Sequence, residues 1–283
     1  MTTRKDHTMI QTMSRTTLYV PGDRSDRFNK ALHSGADAII CDLEDAVAEA
    51  HKADARAAVN EWLRANSGVP AWIRVNNRTG LLNDDAEMVR SLVADGIGFA
   101  GVVVPKANLE ACSLDFGGCA VMALIESAHG VAKIYEIAAL TAVVRLALGE
   151  ADLAADMAME PGPDAAEMWP VRTRVVVASA GCGLMAPCGP VHTDLNDQQG
   201  LVTSSESLRR HGFAGRSIIH PKQVEPVNSA FTPSAEAVAA AEAVVMAYDN
   251  ALKQGQAALI VDGKFIDSAV VRQARALLAR AGH

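Results

Sequence analysis

The sequence predicts an α/β protein, a closed (β/α)8 barrel of the TIM type followed by a C-terminal helical and hairpin extension. Three observations carry this. Short runs rich in Val, Ile and Leu alternate with amphipathic segments along most of the chain. The runs are apolar almost throughout, as strands of a parallel sheet covered by helices must be. Charged residues gather just past one run after another, which suits a barrel, because all its strand ends open at one mouth.

The candidate strands are residues 18–20, 38–41, 72–75, 101–104, 121–125, 143–148, 184–186 and 217–219. Between them lie helical patterns such as "KADARAAVNEWLRANSG" and "DDAEMVRSLVADG", each closed by a glycine as a C-cap requires. Pro170 falls inside "DAAEMWPVRTRVVVASAG", so that helix is expected to kink or to start later. Beyond the last strand, "TPSAEAVAAAEAVVMAYDNALKQG" reads as a long helix with Ser234 as N-cap. "AALIVDGKFID" reads as a hairpin turning at Asp262-Gly263, and "AVVRQARALLAR" as a closing amphipathic helix. The expected division is an N-terminal extension over 1–14, the barrel over 15–230 and the extension over 231–283.

An open doubly wound nucleotide fold is the alternative, but it calls for G-x-G-x-x-G after the first strand. Here that turn is "VPGDRSDR", with a single glycine, and no Walker A pattern occurs. Composition narrows the partners. The net charge is −7 with no Lys/Arg stripe, which argues against nucleic acid. No apolar run approaches the ~20 residues of a membrane helix, and "MTTRKDHTMIQTM" has no apolar secretion core, so a cytoplasmic protein is expected. The five cysteines show no C-x-x-C spacing and read as thiols, neither a disulfide frame nor a zinc site.

The chemistry begins with two acids. In "VMALIESAHG" an apolar run ends on Glu126, and in "RLALGEADLAAD" the next run is followed by Asp152, with Glu150 beside it. Adjacent strands lie about 4.8 Å apart, so these two side chains can share one cation. Two carboxylates that close oppose each other's ionisation unless a hard divalent ion sits between them, and an oxygen-only site with room for water favours Mg2+. The structural alternative is that each acid pairs with an arginine or caps a helix. Arg74 in "WIRVN" suits a carboxylate, because its planar fork donates two hydrogen bonds at once; it can equally pair with "DLED", and Glu44 and Asp45 are then expected to orient it. Lys106 in "VVVPKAN" is a further cation or a rim lysine. His220, before a proline, reads as a structural hydrogen-bond donor, and His7, His51 and His129 as solvated. No Ser-His-Asp or Cys-His set stands out.

From Arg15 onward, "RTTLYVPGDRSDRFNKALHSGADAIICDLEDAVAEAHKADAR", "WIRVN", "VVVPKA", "ALIESAHGV", "ALGEADLAAD", "VHTDLND", "GRSIIHPKQ" and "VDGKFIDSAVVRQARALLA" together resemble the citrate lyase β-subunit-like (CitE-like) branch of the HpcH/HpaI aldolases. The resemblance implies a (β/α)8 enzyme, often trimeric, that uses Mg2+ to break or form a carbon-carbon bond in an acyl-CoA thioester such as citryl-, malyl- or citramalyl-CoA, with a 2-oxo acid as the other product. It implies Glu126 and Asp152 as metal ligands, Arg74 as the substrate-carboxylate clamp, and Asp267 of "GKFID" as an acid/base group reaching a neighbouring subunit, where position alone reads it as a helix N-cap. Tyr19, Arg24 and Lys30 of the first loop, and Asp194, fall in segments that face ligand in the family. Action within a citrate lyase complex on an acyl carrier protein, or malyl-CoA thioester hydrolysis, are the alternatives the resemblance leaves open. "GEAD" stands where "GAED" is usual and "SAHG" where "TARG" is common, but the metal-ligand Asp152 survives both changes.

Overall fold

The computed structural model describes residues 14–261 and 263–282. His7 and Asp262, and with them most of the expected N-terminal extension and half of the hairpin turn, lie outside the described residues. Eight parallel strands, β1 (Thr16–Pro21), β2 (Ala38–Asp42), β3 (Ala71–Arg74), β4 (Gly101–Val104), β5 (Val121–Ile125), β6 (Val143–Leu148), β7 (Met185–Gly189) and β8 (Gly215–Ile218), pair in chain order, and β8 closes on β1.

Strand periodicity sorts the side chains. Ala38 and Ile40, Trp72, Val103, Met122 and Leu124, Ala147 and Cys188 fill the barrel interior, with Tyr19 packed against them. Ile39, Cys41, Ile73, Val102, Val104, Ala123, Ile125, Leu146 and Leu148 point the other way and are equally buried. Both faces are dry, which is why the runs carry no polar alternation.

Two expectations shift. The helix containing Pro170 starts at Trp169 and runs to Gly181, so the proline sits in the first turn, where its missing N–H is not needed, and no kink results. The seventh strand begins at Met185 and continues to Gly189 through "PCG", beyond the expected end at Ala186. Its register against β6 shifts between Arg145/Met185 and Ala147/Cys188, and that irregularity accommodates Pro187 within a sheet.

The chain divides after Ser229 into two compact units. The second contains the helix Ala235–Lys253, with the Ser234 hydroxyl accepting from the Ala237 amide at 3.2 Å, an antiparallel pair Leu259–Val261 and Lys264–Ile266, and the helix Ser268–Ala281. Tyr248, Ile266 and Val271 form its small core. The stretch Pro221–Lys253 is long and apolar enough by composition to cross a membrane, but Pro233 and the capping Ser234 break it, and the longer piece carries Glu236, Glu242 and Asp249. None of the five cysteines is in a disulfide among the described residues.

Candidate active site

The C-terminal ends of β2 to β6 deliver the polar residues. Asp42 and Arg74 are direct register partners on β2 and β3, both pointing into the barrel. Arg74 donates from Nε and Nη2 to the two oxygens of Asp42 at 2.7 and 2.6 Å. The same carboxylate accepts from the Glu44 and Ala46 amides at 2.9 and 3.1 Å. Asp42 is 1% exposed, and these four donors are what make a buried charge tolerable there. Burial opposes the Arg74 charge, but Asp42 outweighs it, and the guanidinium ends above its ordinary pKa. The Tyr19 ring lies beneath the guanidinium, its centroid 4.9 Å from Cζ. The expected pairing of Arg74 with "DLED" is present, and within it Asp42 makes the hydrogen bonds, on the Nε–Nη2 edge of the fork. The other edge faces the mouth, where Nη1 lies 3.0 Å from Glu44 Oε2 and 3.8 Å from Asp45. The Glu44 contact is an ion pair without hydrogen-bond alignment, since Oε2 is buried and has no donor. Alternating parity along "AIICD" pointed to Asp42: with Ala38 and Ile40 facing inward, Asp42 must too.

The loop after β2 is held from below. Lys52, missed by the sequence reading, is buried and donates to the carbonyls of Leu43 and Glu44 at 2.7 and 2.5 Å. A β-carbon on Gly22 would meet the Asp42 carbonyl at 2.7 Å, so the glycine of "VPG" lets the first loop pack directly on the end of β2.

Glu126 follows β5 and is 3% exposed. Its Oε1 accepts from the Lys106 amide at 2.8 Å. Burial pushes its carboxyl up to about 8; Glu44 and Asp152 push the same way, against the Lys106 amide and Arg74. Burial likewise raises Glu44, against Arg74 and against Lys106, whose Nζ reaches Glu44 Oε1 at 2.7 Å. The expected side-by-side acids need correction. Ile125 is in register with Leu148, so the residue opposite Glu126 is Gly149, and Asp152 stands three residues on, in the first turn of the helix Glu150–Asp156. A side chain at position 149 has no room: its β-carbon would lie 2.5 Å from Glu126 Oε2. Asp152 is exposed and within electrostatic range of Glu126. Glu150 is turned away to Arg172, bidentate at 2.5 and 2.7 Å.

Five carboxylates (Asp42, Glu44, Asp45, Glu126, Asp152) thus share one neighbourhood with two cations, Arg74 and Lys106. Burial first, and the neighbouring Glu44 and Asp152 second, favour the protonated form of Glu126, and a bound cation would oppose both. All candidate donors are oxygens, and no group of three or more His, Cys, Asp or Glu suited to a metal occurs among the described residues, so a bound ion would keep most of its water.

Three of the other expected site residues are exposed. Arg24 is exposed and paired with Asp26 at 2.9 Å, Lys30 is exposed in the short helix Phe28–Leu32, and Asp194 is exposed, accepting from the Asn196 amide. Tyr19 belongs to the barrel interior instead of a surface loop. In the second unit Asp267 caps the helix Ser268–Ala281, accepting from the Ala269 and Val270 amides. His220 Nδ1 accepts from the Lys222 amide at 3.1 Å, a structural role in the turn Pro221–Gln223 that leaves the N–H of a neutral ring on Nε2.

Residues 15–221 match the description HpcH/HpaI aldolase/citrate lyase. The chain belongs to this family. It is 33% identical over 274 residues to a (3S)-malyl-CoA thioesterase of Cereibacter sphaeroides, covering 94% of each chain. It is 31% identical to citrate lyase subunit beta of Leuconostoc mesenteroides, over 96% of this chain and 95% of that one. Among solved structures, CitE from Mycobacterium tuberculosis in complex with magnesium, acetoacetate and coenzyme A superimposes with a TM-score of 0.78 at 31% identity, covering 95% of this chain and 98% of that one. The citrate lyase beta subunit of the same organism, complexed with oxaloacetate and magnesium, does so with a TM-score of 0.68 at 31% identity over 78% of this chain and 97% of that one. These relatives place the chain in the CitE-like branch of the family.

The close approach of Gly149 makes a direct test. Gly149→Ala is expected to displace Glu126 and weaken divalent-cation binding, read by titration calorimetry, by about tenfold or more, the scale of disturbing a ligand's support. Unchanged affinity would remove Glu126 from the cation site.

Proposed function

We propose that the chain is a Mg2+-dependent carbon-carbon lyase that cleaves, or in reverse condenses, a short 3-hydroxyacyl-CoA thioester to an acyl-CoA and a 2-oxo acid. One observation carries this: a buried carboxylate, Glu126, is held near an excess of acid beside an arginine with one donor edge turned to the mouth. Membership in a family whose relatives include CoA thioester and citrate lyase proteins supports the same reading. Glu126 and Asp152 would hold the ion. When bound, Mg2+ supplies a Lewis acid that polarises the 2-oxo carbonyl and offsets the acids.

The chain's own groups do the rest. Arg74, kept rigid by Asp42 and Tyr19, offers its remaining edge to the carboxylate of the 2-oxo acid and so fixes the carbonyl it carries. In the condensing direction Asp267 of a neighbouring copy, in a trimer, takes the proton from the carbon next to the thioester; that carbon's electron pair forms the new bond to the 2-oxo carbon while the carbonyl π pair moves to its oxygen, which takes a proton from water to become the 3-hydroxyl. Cleavage reverses this: the 3-hydroxyl gives its proton to water, its oxygen pair re-forms the carbonyl as the carbon-carbon bond breaks towards the thioester side, and the same carboxyl returns a proton to that carbon. Tyr19 sits under the arginine, and the thioester's approach is assigned to Arg24, Lys30 and Asp194 on the family resemblance of their segments.

Incubation of the purified chain and Mg2+ with citryl-CoA, (3S)-malyl-CoA and citramalyl-CoA, with products resolved by mass spectrometry, tests the proposal. A 2-oxo acid and a shortened acyl-CoA appearing together in at least one reaction are expected. Likeness to a (3S)-malyl-CoA thioesterase favours hydrolysis as the second reading, and free malate with CoA but no glyoxylate would establish it instead. No turnover of any thioester, with or without an acyl carrier protein, would sink both.

A further inference from the structure

Lys106 follows β4 with φ at 44°, left-handed backbone that disfavours any residue bearing a β-carbon. A turn of this kind is usually given to glycine or asparagine. Lysine is held there from both ends. Its amide donates to Glu126 Oε1 at 2.8 Å, the one hydrogen bond Glu126 accepts among the described residues. Its ammonium donates to Glu44 Oε1 at 2.7 Å and lies 3.7 Å from Asp45. The next amide, of Ala107, donates to the Leu124 carbonyl at 3.0 Å, so the chain rejoins the sheet immediately after the turn. A strained residue over-determined in this way, beside a buried carboxylate, points to function.

We propose that Lys106 is a positioning residue for Glu126. Its ion pair with Glu44 keeps the left-handed turn in place, and the turn aims the amide that fixes the rotation of the Glu126 carboxylate. The inference rests on the reading of Glu126 as a Mg2+ ligand. It also separates two roles that a lysine near a metal site confounds. A cation acting by charge alone repels Mg2+, so its removal would tighten binding. A cation acting as a brace does the opposite.

Three variants of the full chain test this, with Mg2+ affinity read by calorimetry without substrate and Lys106-position amide exchange read by NMR without metal. Lys106→Met keeps the β-carbon and loses the tether: its Mg2+ Kd is expected to rise about tenfold or more, on the scale of lost outer support to a ligand, and its amide to exchange about tenfold faster. Lys106→Gly has no penalty at positive φ and is expected to hold the amide bond better than the methionine variant and to bind Mg2+ more tightly than it. Lys106→Arg, which can still reach Glu44, should stay nearer the parent than either. A methionine variant that binds Mg2+ as tightly as the parent or more so overturns the brace, as does an amide equally protected in all variants. Should the parent chain take up no Mg2+, the metal reading fails, and the amide-exchange comparison decides the brace without it.

Discussion

Glu126→Gln is expected to abolish Mg2+ binding and lower turnover by about 10^3-fold, the scale of losing one group that stabilises transition-state charge, while the metal-free protein gains stability. Glutamine keeps an oxygen for the Lys106 amide and removes the buried charge. The gain depends on pH in a defined way. In the metal-free parent the Glu126 carboxyl is raised to about 8, so between the ordinary carboxyl range and about 8 the folded state holds a proton that the unfolded state has lost. Stability therefore falls as pH rises through that window and levels above it. The variant lacks this dependence. Melting curves in chelator should separate progressively from about pH 5 to about pH 8, with the variant higher. The parent's Mg2+ affinity should rise about tenfold per pH unit over the same window, because the ion must displace the proton. Parallel melting curves would show that folding does not raise the Glu126 carboxyl.

Arg74→Met is expected to cost both activity and fold. The variant leaves Asp42, 1% exposed, with two amide donors and no cation, and breaking one side of a buried pair costs about 3–5 kcal/mol. Urea denaturation with an unchanged m-value reads this. Arg74→Lys should recover part of the stability but little turnover, because an ammonium cannot hold both oxygens of Asp42 and still present a second edge. Combining Arg74→Met with Asp42→Leu should restore part of the stability and none of the activity, which separates structural from chemical loss. A methionine variant within about 1 kcal/mol of the parent would mean that the Asp42 pair is not the keystone of the mouth.

Much of this was legible in one dimension because it follows from periodicity. Apolar runs of strand length with no polar alternation must be covered on both sides, so the barrel was readable before any contact was known. A carboxylate directly after such a run must stand at the strand's end, so Glu126 was readable too. The "PCG" of β7 was not, because proline and glycine signal a turn locally and only the irregular pairing with β6 makes a strand of them. Neither was Lys52, whose burial depends on where the loop after β2 folds over it.

The sequence by itself determined the class of fold, the acids and the arginine available at its mouth, and the family. Tertiary structure alone decided how they are shared. Asp42 and not Glu44 grips Arg74, Gly149 and not Asp152 faces Glu126, Glu150 goes to Arg172, and Lys106 joins two acids across a left-handed turn. Local propensity depends on a residue's neighbours in the chain, whereas the partner of a buried charge depends on strand register, which is set when the barrel closes and every inward side chain must find room at once.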